Sequence, residues 1–305
     1  MRILVTGATG FIGSRVCAML AAAGYEVTAV SRDGESAKRR LPMLTAAHSW
    51  QPLDGPAPAE AFDGVDAVVN LMGESVSGRW TAAKKDRIHR SRVTGTRNLV
   101  AGMRELQQRP ALLVNQSAWG YYGDRGDDVL TEEEPPGGIF LSGVCADWEA
   151  AAVEAEALGV RVVRMRTSLV VGPGGFLSPM TPLFKFGLGG PLGSGKQWWS
   201  WIHRDDLARF VIHAIEREDV TGPVNLATPG HLRQRDFAKT LGSVLRRPAI
   251  IPAPAFAVRL ILGEFSTEVL TSKRLAPKAA LESNFAFTFP ILDAALRDAY
   301  EQTWE

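Results

Sequence analysis

The feature that limits the fold most is a glycine-rich turn near the start of the chain, VTGATGFIG at residues 5–13. The apolar run at 2–6 before it predicts a buried strand, and the segment that follows it predicts a helix. In this setting Gly7 permits a tight turn, Gly10 lets the backbone approach a pyrophosphate, and Gly13 lets helix and sheet pack closely. The helix N-terminus adds amide donors and a favourable dipole for the anion. The turn therefore predicts a dinucleotide-binding unit rather than a merely structural turn.

The end of the second predicted strand, YEVTAV at 25–30, indicates which dinucleotide is bound. An acidic residue there would accept hydrogen bonds from a free 2′-hydroxyl, as in sites that prefer NAD. Here Ser31 and Arg32 follow instead, and they suit a 2′-phosphate because a guanidinium forms charge-assisted hydrogen bonds to it. The sequence therefore favours NADP(H), the alternative being a solvated arginine at a strand end. Arg39 and Arg40 are less securely placed helpers.

The predicted cofactor contacts come from the glycine turn, the end of the second strand and the loop after the next buried strand. They are Gly7, Thr9, Gly10, Phe11, Ile12, Gly13, Ser31, Arg32, Leu71 and Gly73.

Short apolar runs alternate with amphipathic segments through the first two thirds of the chain. The further strands are predicted at 66–71, 111–117 and 160–166, and the helices at 11–23, 81–106 and 142–159. Strands that are apolar throughout and separated by helices indicate a parallel sheet covered on both faces. We therefore predict an α/β protein with a Rossmann-type doubly wound parallel sheet and a smaller, mostly helical C-terminal substrate lobe.

The composition of the sequence changes after Arg166, and this change suggests where the domains divide. Residues 172–197 are rich in glycine and proline and are expected to run over the surface, and the run at 223–227 predicts a strand that returns to the main sheet. We therefore assign residues 1–170 to the dinucleotide-binding domain, together with the returning strand. The substrate-binding lobe is assigned to the rest, 171–222 and 228–305.

Composition excludes several classes of function. The net charge is +1, from 34 basic and 33 acidic residues, which argues against binding to nucleic acid or a membrane surface. No apolar run approaches the roughly 20 residues of a membrane-spanning helix, and the chain enters a strand at once, so no secretory signal is expected. Two cysteines indicate reduced thiols in a cytoplasmic protein. The five histidines lack ligand spacing, so no metal is expected. The expected partner is a small-molecule substrate, bound by a monomer or a homodimer.

Several separate segments resemble one enzyme family. Besides the glycine turn, they are TGTRNL at 94–99, SAWGYYGDRGDDVLTEEEPPGGIF at 117–140, RMRTSLVVGPGG at 164–175 and WIHRDDLA at 201–208. They resemble the extended short-chain dehydrogenase/reductases, which include nucleotide-sugar epimerases and dehydratases. The segments YYGDRGDDVLTE, VCADWEAAAVEAEALG, GGPLGSGKQWWSWIH and LGEFSTEVL are similar to an epimerase-like subfamily of atypical members that has its own C-terminal segment.

The resemblance implies a catalytic tyrosine and, four residues later, a lysine that lowers its pKa and holds the nicotinamide ribose. A glutamate four residues beyond that lysine fits Glu149, which puts Cys145 at the lysine position and Leu141 at the tyrosine position. Leucine cannot exchange a proton, and cysteine carries no positive charge that could depress a tyrosine pKa. A one-residue slip would offer Phe140, which is no better. The usual pair is therefore missing.

Candidates that could replace the pair lie nearby in the predicted fold. Ser117 matches the family serine that polarises a substrate oxygen, and Tyr121 and Tyr122 follow on a loop at the carboxyl edge of the sheet, where open α/β sheets bind ligands. Each tyrosine has the alternative of a buried ring with a satisfied hydroxyl. Among the carboxylates at 124–134, Glu132 is the preferred general base, the alternative being a solvated acidic face.

Three tryptophans follow the glycine- and proline-rich segment. Trp198, Trp199 and Trp201 either belong to a loop that covers the cleft or are ordinary core residues.

Two hypotheses follow for the whole chain. The first is an NADP(H)-dependent oxidoreductase or epimerase-like enzyme in which Ser117, Tyr122 or Glu132 handles protons. The second is a non-catalytic NADP(H)-binding protein, a redox sensor or regulator, which the residues at 141 and 145 favour. The retained Ser117 tilts the balance towards an enzyme.

Overall fold

A computed structural model describes residues 1–302 of the chain. The strands are β1 (Arg2–Thr6), β2 (Glu26–Ser31), β3 (Ala46–Ser49), β4 (Ala67–Asn70), β5 (Leu112–Ala118), β6 (Val129–Leu130), β7 (Arg161–Thr167), β8 (Leu169–Val171), β9 (Trp198–Trp199), β10 (Trp201–His203), β11 (Gly222–Leu226), β12 (Leu232–Arg233) and β13 (Arg274–Leu275). The helices are α1 (Phe11–Ala22), α2 (Gly34–Arg40), α3 (Ala82–Arg104), α4 (Phe140–Val153), α5 (Leu177–Lys185), α6 (Arg204–Glu216), α7 (Gln234–Val244), α8 (Ala255–Leu262), α9 (Ser266–Leu270), α10 (Lys278–Glu282) and α11 (Leu292–Glu301).

The main sheet has seven strands in the order β3-β2-β1-β4-β5-β7-β11, and every pair of neighbours is parallel. Its central strands are buried on both faces, as β1 and β4 illustrate, which explains why they read as unbroken apolar runs. The strand order reverses between β1 and β4. A crevice therefore opens at the carboxyl ends of these two strands, which is where open α/β sheets bind ligands.

Helices cover both faces of the sheet. On one face α1 and α6 pack against a core that includes Val5, Val16 and Phe210. On the other face α3 and α4 lie side by side over a second core that includes Val68 and Leu99. The predicted Rossmann-type doubly wound sheet is confirmed, and so is the return of the chain to the sheet near 223–227, as β11 beside β7.

The C-terminal part is mostly helical, as predicted, and has its own core. Trp199, Trp201, Phe237 and Leu296 lie in that core. The core also takes Tyr122 from the loop after β5, and β13 pairs with β6. The division into 1–170, 171–222 and 228–305 remains a prediction, and this shared core links its two parts.

Within residues 1–302 no helix has both the length and the apolar content needed to cross a bilayer. The same residues contain no group of three or more His, Cys, Asp or Glu side chains arranged to hold a metal ion.

Candidate cofactor and substrate site

The turn after β1 is held so tightly that two of its glycines, Gly7 and Gly13, cannot carry side chains. Gly7 has φ +64°, and a Cβ there would lie 2.7 Å from the carbonyl oxygen of Leu71. A Cβ on Gly13 would lie 2.1 Å from the carbonyl oxygen of Gly7. The glycines thus bring the loop after β1, the loop after β4 and the start of α1 into backbone contact, at the point where the strand order reverses.

The N-terminus of α1 is open for an anion. Gly10 is the N-cap and is exposed, no side chain caps the helix, and its first turn contains no acidic residue. The free amide groups and the dipole of this 12-residue helix therefore point at the crevice without competition from the protein. Thr9, Phe11 and Ile12 stand at the same turn, each partly exposed. The site fits the pyrophosphate of a dinucleotide.

The end of β2 lies beside this turn, because β2 pairs with β1 up to Val30. Ser31 is the last strand residue and is partly exposed, and Arg32 is exposed. Asp33 comes next, but its carboxylate caps α2 by accepting a hydrogen bond from the amide of Ser36 at 2.8 Å. Arg39 and Arg40 lie in the last turn of α2, about 9 Å of helix away from its start, and so do not lie beside Arg32.

The loop after β4 contributes Leu71 and Gly73, both accessible to a ligand. The amide of Leu71 donates to the carbonyl oxygen of Thr6 at 3.3 Å, which joins the two loops of the crevice. A Cβ on Gly73 would lie 3.1 Å from Cζ of Arg92, so the guanidinium of Arg92 lies against this glycine. Arg92 was not predicted from the sequence. It stands in the interior of α3, where an arginine reads as an ordinary helix residue.

The positions of the missing pair face the same edge of the sheet. Leu141 is buried and packs on Gly120, where a Cβ would lie 3.2 Å from that of Leu141. The thiol of Cys145 lies near the backbone amide of Ala118 at the end of β5, which favours its ionised form only weakly. Burial raises the pKa of the Cys145 thiol to about 12, so the thiol stays neutral and supplies neither a charge nor a nucleophile at neutral pH.

Ser117 is fully buried, and its hydroxyl donates to Oε1 of Glu149 at 2.7 Å. Arg166 binds both oxygens of the same carboxylate, with Nε 2.9 Å from Oε1 and Nη2 3.0 Å from Oε2. The serine therefore belongs to a buried network and does not face the crevice in this structure.

Tyr122 is also fully buried. Its hydroxyl donates to Oδ1 of Asn225 at 2.6 Å and accepts from Nη1 of Arg166 at 2.9 Å. Burial raises the pKa of this phenol, and Arg166 opposes the rise without cancelling it. Tyr121 is partly exposed, and Cζ of Arg166 lies 3.5 Å from the centroid of its ring.

Glu132 lies beside β11. In the sheet β11 is two strands from β5, which carries Ser117, so these two strands are about 10 Å apart. Its Oε1 accepts from the amides of Asn225 at 2.9 Å and Ala279 at 3.1 Å, whereas the buried Oε2 has no partner among the described residues. Burial raises the pKa of Glu132 above its usual range despite these hydrogen bonds. Other carboxylates of the loop are solvated: Asp127 pairs with Arg233, and Glu133 pairs with Lys278.

The structure thus brings together the predicted cofactor residues of the glycine turn and the loop after β4. It links Ser117 to Tyr122 through Arg166, whose Nη1 also donates to the carbonyl oxygen of Glu132 at 3.0 Å, so Glu132 adjoins the same network on the β11 side. The catalytic roles of Ser117, Tyr122 and Glu132 remain predictions. For the first two, contact with a substrate would require the hydroxyls to leave their buried partners.

An ion pair from the C-terminal segment lies at the same edge and was not predicted. Lys273 is fully buried, with Nζ 3.5 Å from Oε2 of Glu268 and 2.7 Å from Oγ1 of Thr271. A Cβ on Gly120 would lie 3.6 Å from Oε2 of Glu268, which places this carboxylate beside the position of the missing tyrosine. Oε1 of Glu268 is buried and has no partner among the described residues.

The tryptophans divide between the two alternatives. Trp199 and Trp201 are ordinary core residues, each 2% exposed. Trp198 is partly exposed and lies under the guanidinium groups of Arg233 and Arg274.

Two family models match the chain. Residues 3–227, which contain the glycine turn and the main sheet, match the NAD dependent epimerase/dehydratase family. Residues 253–299, which contain Glu268 and Lys273, match a domain of unknown function (DUF1731).

Curated relatives are similar along nearly their whole length. The epimerase family protein SDR39U1 homolog, chloroplastic, of Arabidopsis thaliana is 36% identical over 307 residues, which cover 97% of this chain and 86% of that protein. The epimerase family protein YfhF of Bacillus subtilis is 34% identical over 297 residues, with 97% of each covered.

A solved structure extends the similarity to three dimensions. The crystal structure of human epimerase family protein SDR39U1 (isoform2) with NADPH matches with a TM-score of 0.88 and 32% identity, covering 99% of this chain and 100% of that one.

Proposed function

Because the chain belongs to the NAD dependent epimerase/dehydratase family, we propose that it is an NADP(H)-binding, atypical oxidoreductase or epimerase-like enzyme that acts on a small molecule. The predicted resemblance to an epimerase-like group with its own C-terminal segment is confirmed. The family binds NAD(P), and the substrate would lie beside the nicotinamide, between the carboxyl edge of the sheet and the lobe formed by 171–222 and 228–305.

The observation that carries this proposal is the backbone cradle after β1. Gly7 and Gly13 exclude side chains at the point where the strand order reverses, and the N-terminus of α1 is open for a pyrophosphate. Gly10 has no side chain that would cover this N-terminus, so a pyrophosphate can approach the main chain there.

The preference for NADP(H) rests on the end of β2. Ser31 and Arg32 are accessible there, and the nearby carboxylate of Asp33 is engaged in capping α2. A 2′-phosphate would gain a charge-assisted hydrogen bond from Arg32. The similar human protein was solved with NADPH, which supports the same preference.

The chemistry proposed for the chain's own residues is proton transfer at the substrate. When bound, the nicotinamide would exchange a hydride with a substrate carbon. Glu132 is the candidate for this proton transfer because burial raises its pKa above the ordinary value and its Oε2 has no partner among the described residues. Ser117 and Tyr122 would contribute through their hydroxyls if substrate binding opened the network around Arg166.

The second candidate function is a non-catalytic NADP(H)-binding redox sensor or regulator. One observation favours it: Leu141 and Cys145 replace the usual pair, and the hydroxyls of Ser117 and Tyr122 are enclosed.

Label transfer separates the two functions. The protein is incubated with C4-deuterated NADPH and a panel of carbonyl metabolites, and deuterium loss from the cofactor is followed. An enzyme transfers label to at least one compound, and Ser117→Ala, Tyr122→Phe or Glu132→Gln reduces the transfer. Tyr25→Phe is the matched control, because Tyr25 contacts Glu216 at the surface. Cofactor binding without any label transfer across the panel would support the sensor.

The cofactor preference has its own test. Arg32→Asp is expected to lower the affinity for NADPH relative to NADH by about tenfold or more, because a repulsive charge replaces a charge-assisted hydrogen bond. Arg39→Asp is the matched control at the far end of α2. An unchanged NADPH/NADH affinity ratio in Arg32→Asp would contradict the assignment of the 2′-phosphate.

A further inference from the structure

Arg92 is a partly buried cation at the edge of the proposed cofactor site. Its guanidinium lies between two surfaces: a Cβ on Gly73 would be 3.1 Å from both Cζ and Nη2, and Cζ lies 5.1 Å from the ring centroid of Trp148. Gly73 is exposed, so the crevice begins directly beside the guanidinium.

The guanidinium is only partly satisfied by the protein. Nη1 donates to the carbonyl oxygens of Glu74 at 3.0 Å and Ile88 at 3.1 Å. Nε and Nη2 donate to no residue within 1–302, and no carboxylate in that range forms an ion pair with Arg92. The nearby carboxylate of Glu74 is instead paired with Lys84 at 2.8 Å.

Burial without an ion pair has an energetic consequence. Burial lowers the pKa of Arg92 from its ordinary value. Nε and Nη2 are not among the buried side-chain atoms that lack a partner in residues 1–302, so both donors can be reached from the crevice by an acceptor. With free donors and no carboxylate partner, Arg92 has the features of a ligand-binding residue and not those of a structural ion pair.

The position of Arg92 indicates which part of a bound dinucleotide would lie beside it. The positive charge of its guanidinium acts on Cys145, the residue that stands where a lysine is expected. Gly73 follows β4, at the reversal of strand order, whereas Arg32 lies beyond the end of β2 on the other side of β1. Arg92 and Arg32 therefore lie towards opposite halves of a dinucleotide whose pyrophosphate is held at α1.

We propose that Arg92 binds the nicotinamide half of the cofactor, with Nε and Nη2 donating to the vicinal hydroxyls of the nicotinamide ribose. The planar fork of a guanidinium matches two adjacent oxygen acceptors. Arg92, which belongs to α3, would then supply the positive charge that Cys145 of α4 lacks at the position of the expected lysine. This inference rests on the proposed function, because it assumes that a dinucleotide binds at the glycine turn.

The test compares binding of the whole cofactor with binding of its adenosine half. Calorimetry measures NADPH and 2′,5′-ADP with the full chain (NADH and ADP if NADH is the better ligand). Arg92→Met is expected to weaken NADPH binding by about 10- to 100-fold, because two charge-assisted hydrogen bonds are lost, and to leave 2′,5′-ADP binding within twofold. Arg92→Lys, which keeps the charge but loses the fork, should fall between wild type and Arg92→Met.

The matched control is Arg90→Met, which removes an exposed arginine of the same helix that lies 3.8 Å from Asp86. It should leave both affinities unchanged. Binding of 2′,5′-ADP also shows that Arg92→Met is folded. The inference is overturned if Arg92→Met binds NADPH as wild type does, or if NADPH and 2′,5′-ADP weaken equally. If wild type binds no dinucleotide, the proposed function fails as well, which separates the two failures.

Discussion

Gly13 lies where α1 passes closest to the turn after β1, and the main chain leaves no room for a methyl group there. A Cβ would lie 2.1 Å from the carbonyl oxygen of Gly7 and 2.9 Å from Cα of Ala8, both backbone atoms that cannot move aside independently. Gly13→Ala is therefore expected to lower the free energy of unfolding by about 3 kcal/mol or more and to abolish cofactor binding. Urea denaturation and calorimetry measure the two effects.

The matched control is Gly143→Ala, at an exposed helical glycine where an added Cβ would have no atom within 4 Å. This change should raise the free energy of unfolding by up to about 1 kcal/mol, because alanine has the higher helix propensity. A Gly13→Ala variant as stable as wild type would show that the turn is not packed as described.

Glu132 gives the fold a pH dependence of known sign. Its pKa is raised by burial, so the folded state binds the proton more tightly than the unfolded state. Stability is therefore lost as pH rises from the unfolded pKa, about 4.3, through the folded pKa. Glu132→Gln lacks this loss, so the unfolding free energy of the variant minus that of wild type should grow as pH rises above the unfolded pKa of about 4.3 and level off above the folded pKa.

The comparison variant for this prediction is Glu133→Gln. Glu133 pairs with Lys278 at the surface, and that contact lowers the pKa of Glu133. Its contribution to stability is present at high pH and is lost on acidification, so the same difference should stay flat or fall with rising pH. A difference for Glu132→Gln that also falls would contradict the burial of this carboxyl.

For single residues, the sequence predicts backbone constraints better than side-chain environments. Gly7, Gly10 and Gly13 were found because glycine spacing reports directly on main-chain geometry. Arg92 was missed, since its environment depends on contacts with Gly73 and Trp148 that are far apart in the sequence. Ser117 was located on the correct strand, but no sequence pattern shows that its hydroxyl turns to Glu149.

Among the helices and strands, the segment that contains α9 and β13 carries a buried charge pair whose energetics can be tested. Lys273→Met would leave Glu268 buried without its cation and is expected to cost about 3–5 kcal/mol of stability. The double variant Glu268→Met, Lys273→Met should unfold close to wild type or above it, because the desolvation of both charges is removed.

A double-mutant cycle in urea measures this coupling. Lys278→Met is the control, since it removes a surface lysine of the next helix that pairs with exposed Glu133; its effect should be much smaller than that of Lys273→Met. If Lys273→Met destabilises the protein no more than Lys278→Met does, the pair of Glu268 and Lys273 is not buried as described.

The prediction of elements succeeded where burial determines the sequence pattern. The five strands β1, β2, β4, β5 and β7 were predicted to within about two residues, because each is covered on both faces and contains a run of buried apolar residues. β3 and α2 were missed because β3 is a short edge strand, AAHS, and α2 has seven residues, most of them polar. The helix α5 in the segment 172–197 was also missed, because glycine and proline surround it.

Across the whole molecule, alternation of strands and helices predicted the parallel sheet and its two covered faces. It did not predict that the loop after β5 would join the C-terminal core through Tyr122 and the pairing of β6 with β13. Such contacts link residues about 145 positions apart, and a two-residue strand has no pattern of its own. The two parts of the chain are therefore joined by more contacts than the change of composition after Arg166 suggests.

Every role proposed for this site depends on binding of a nicotinamide dinucleotide at the backbone cradle after β1. The decisive experiment is calorimetric titration of the full chain with NADPH and, separately, with NADH. We expect saturable binding of one dinucleotide per chain, tighter for NADPH, and no binding by Gly13→Ala. If the folded wild-type protein shows no saturable binding of either coenzyme, the cradle is not a dinucleotide site.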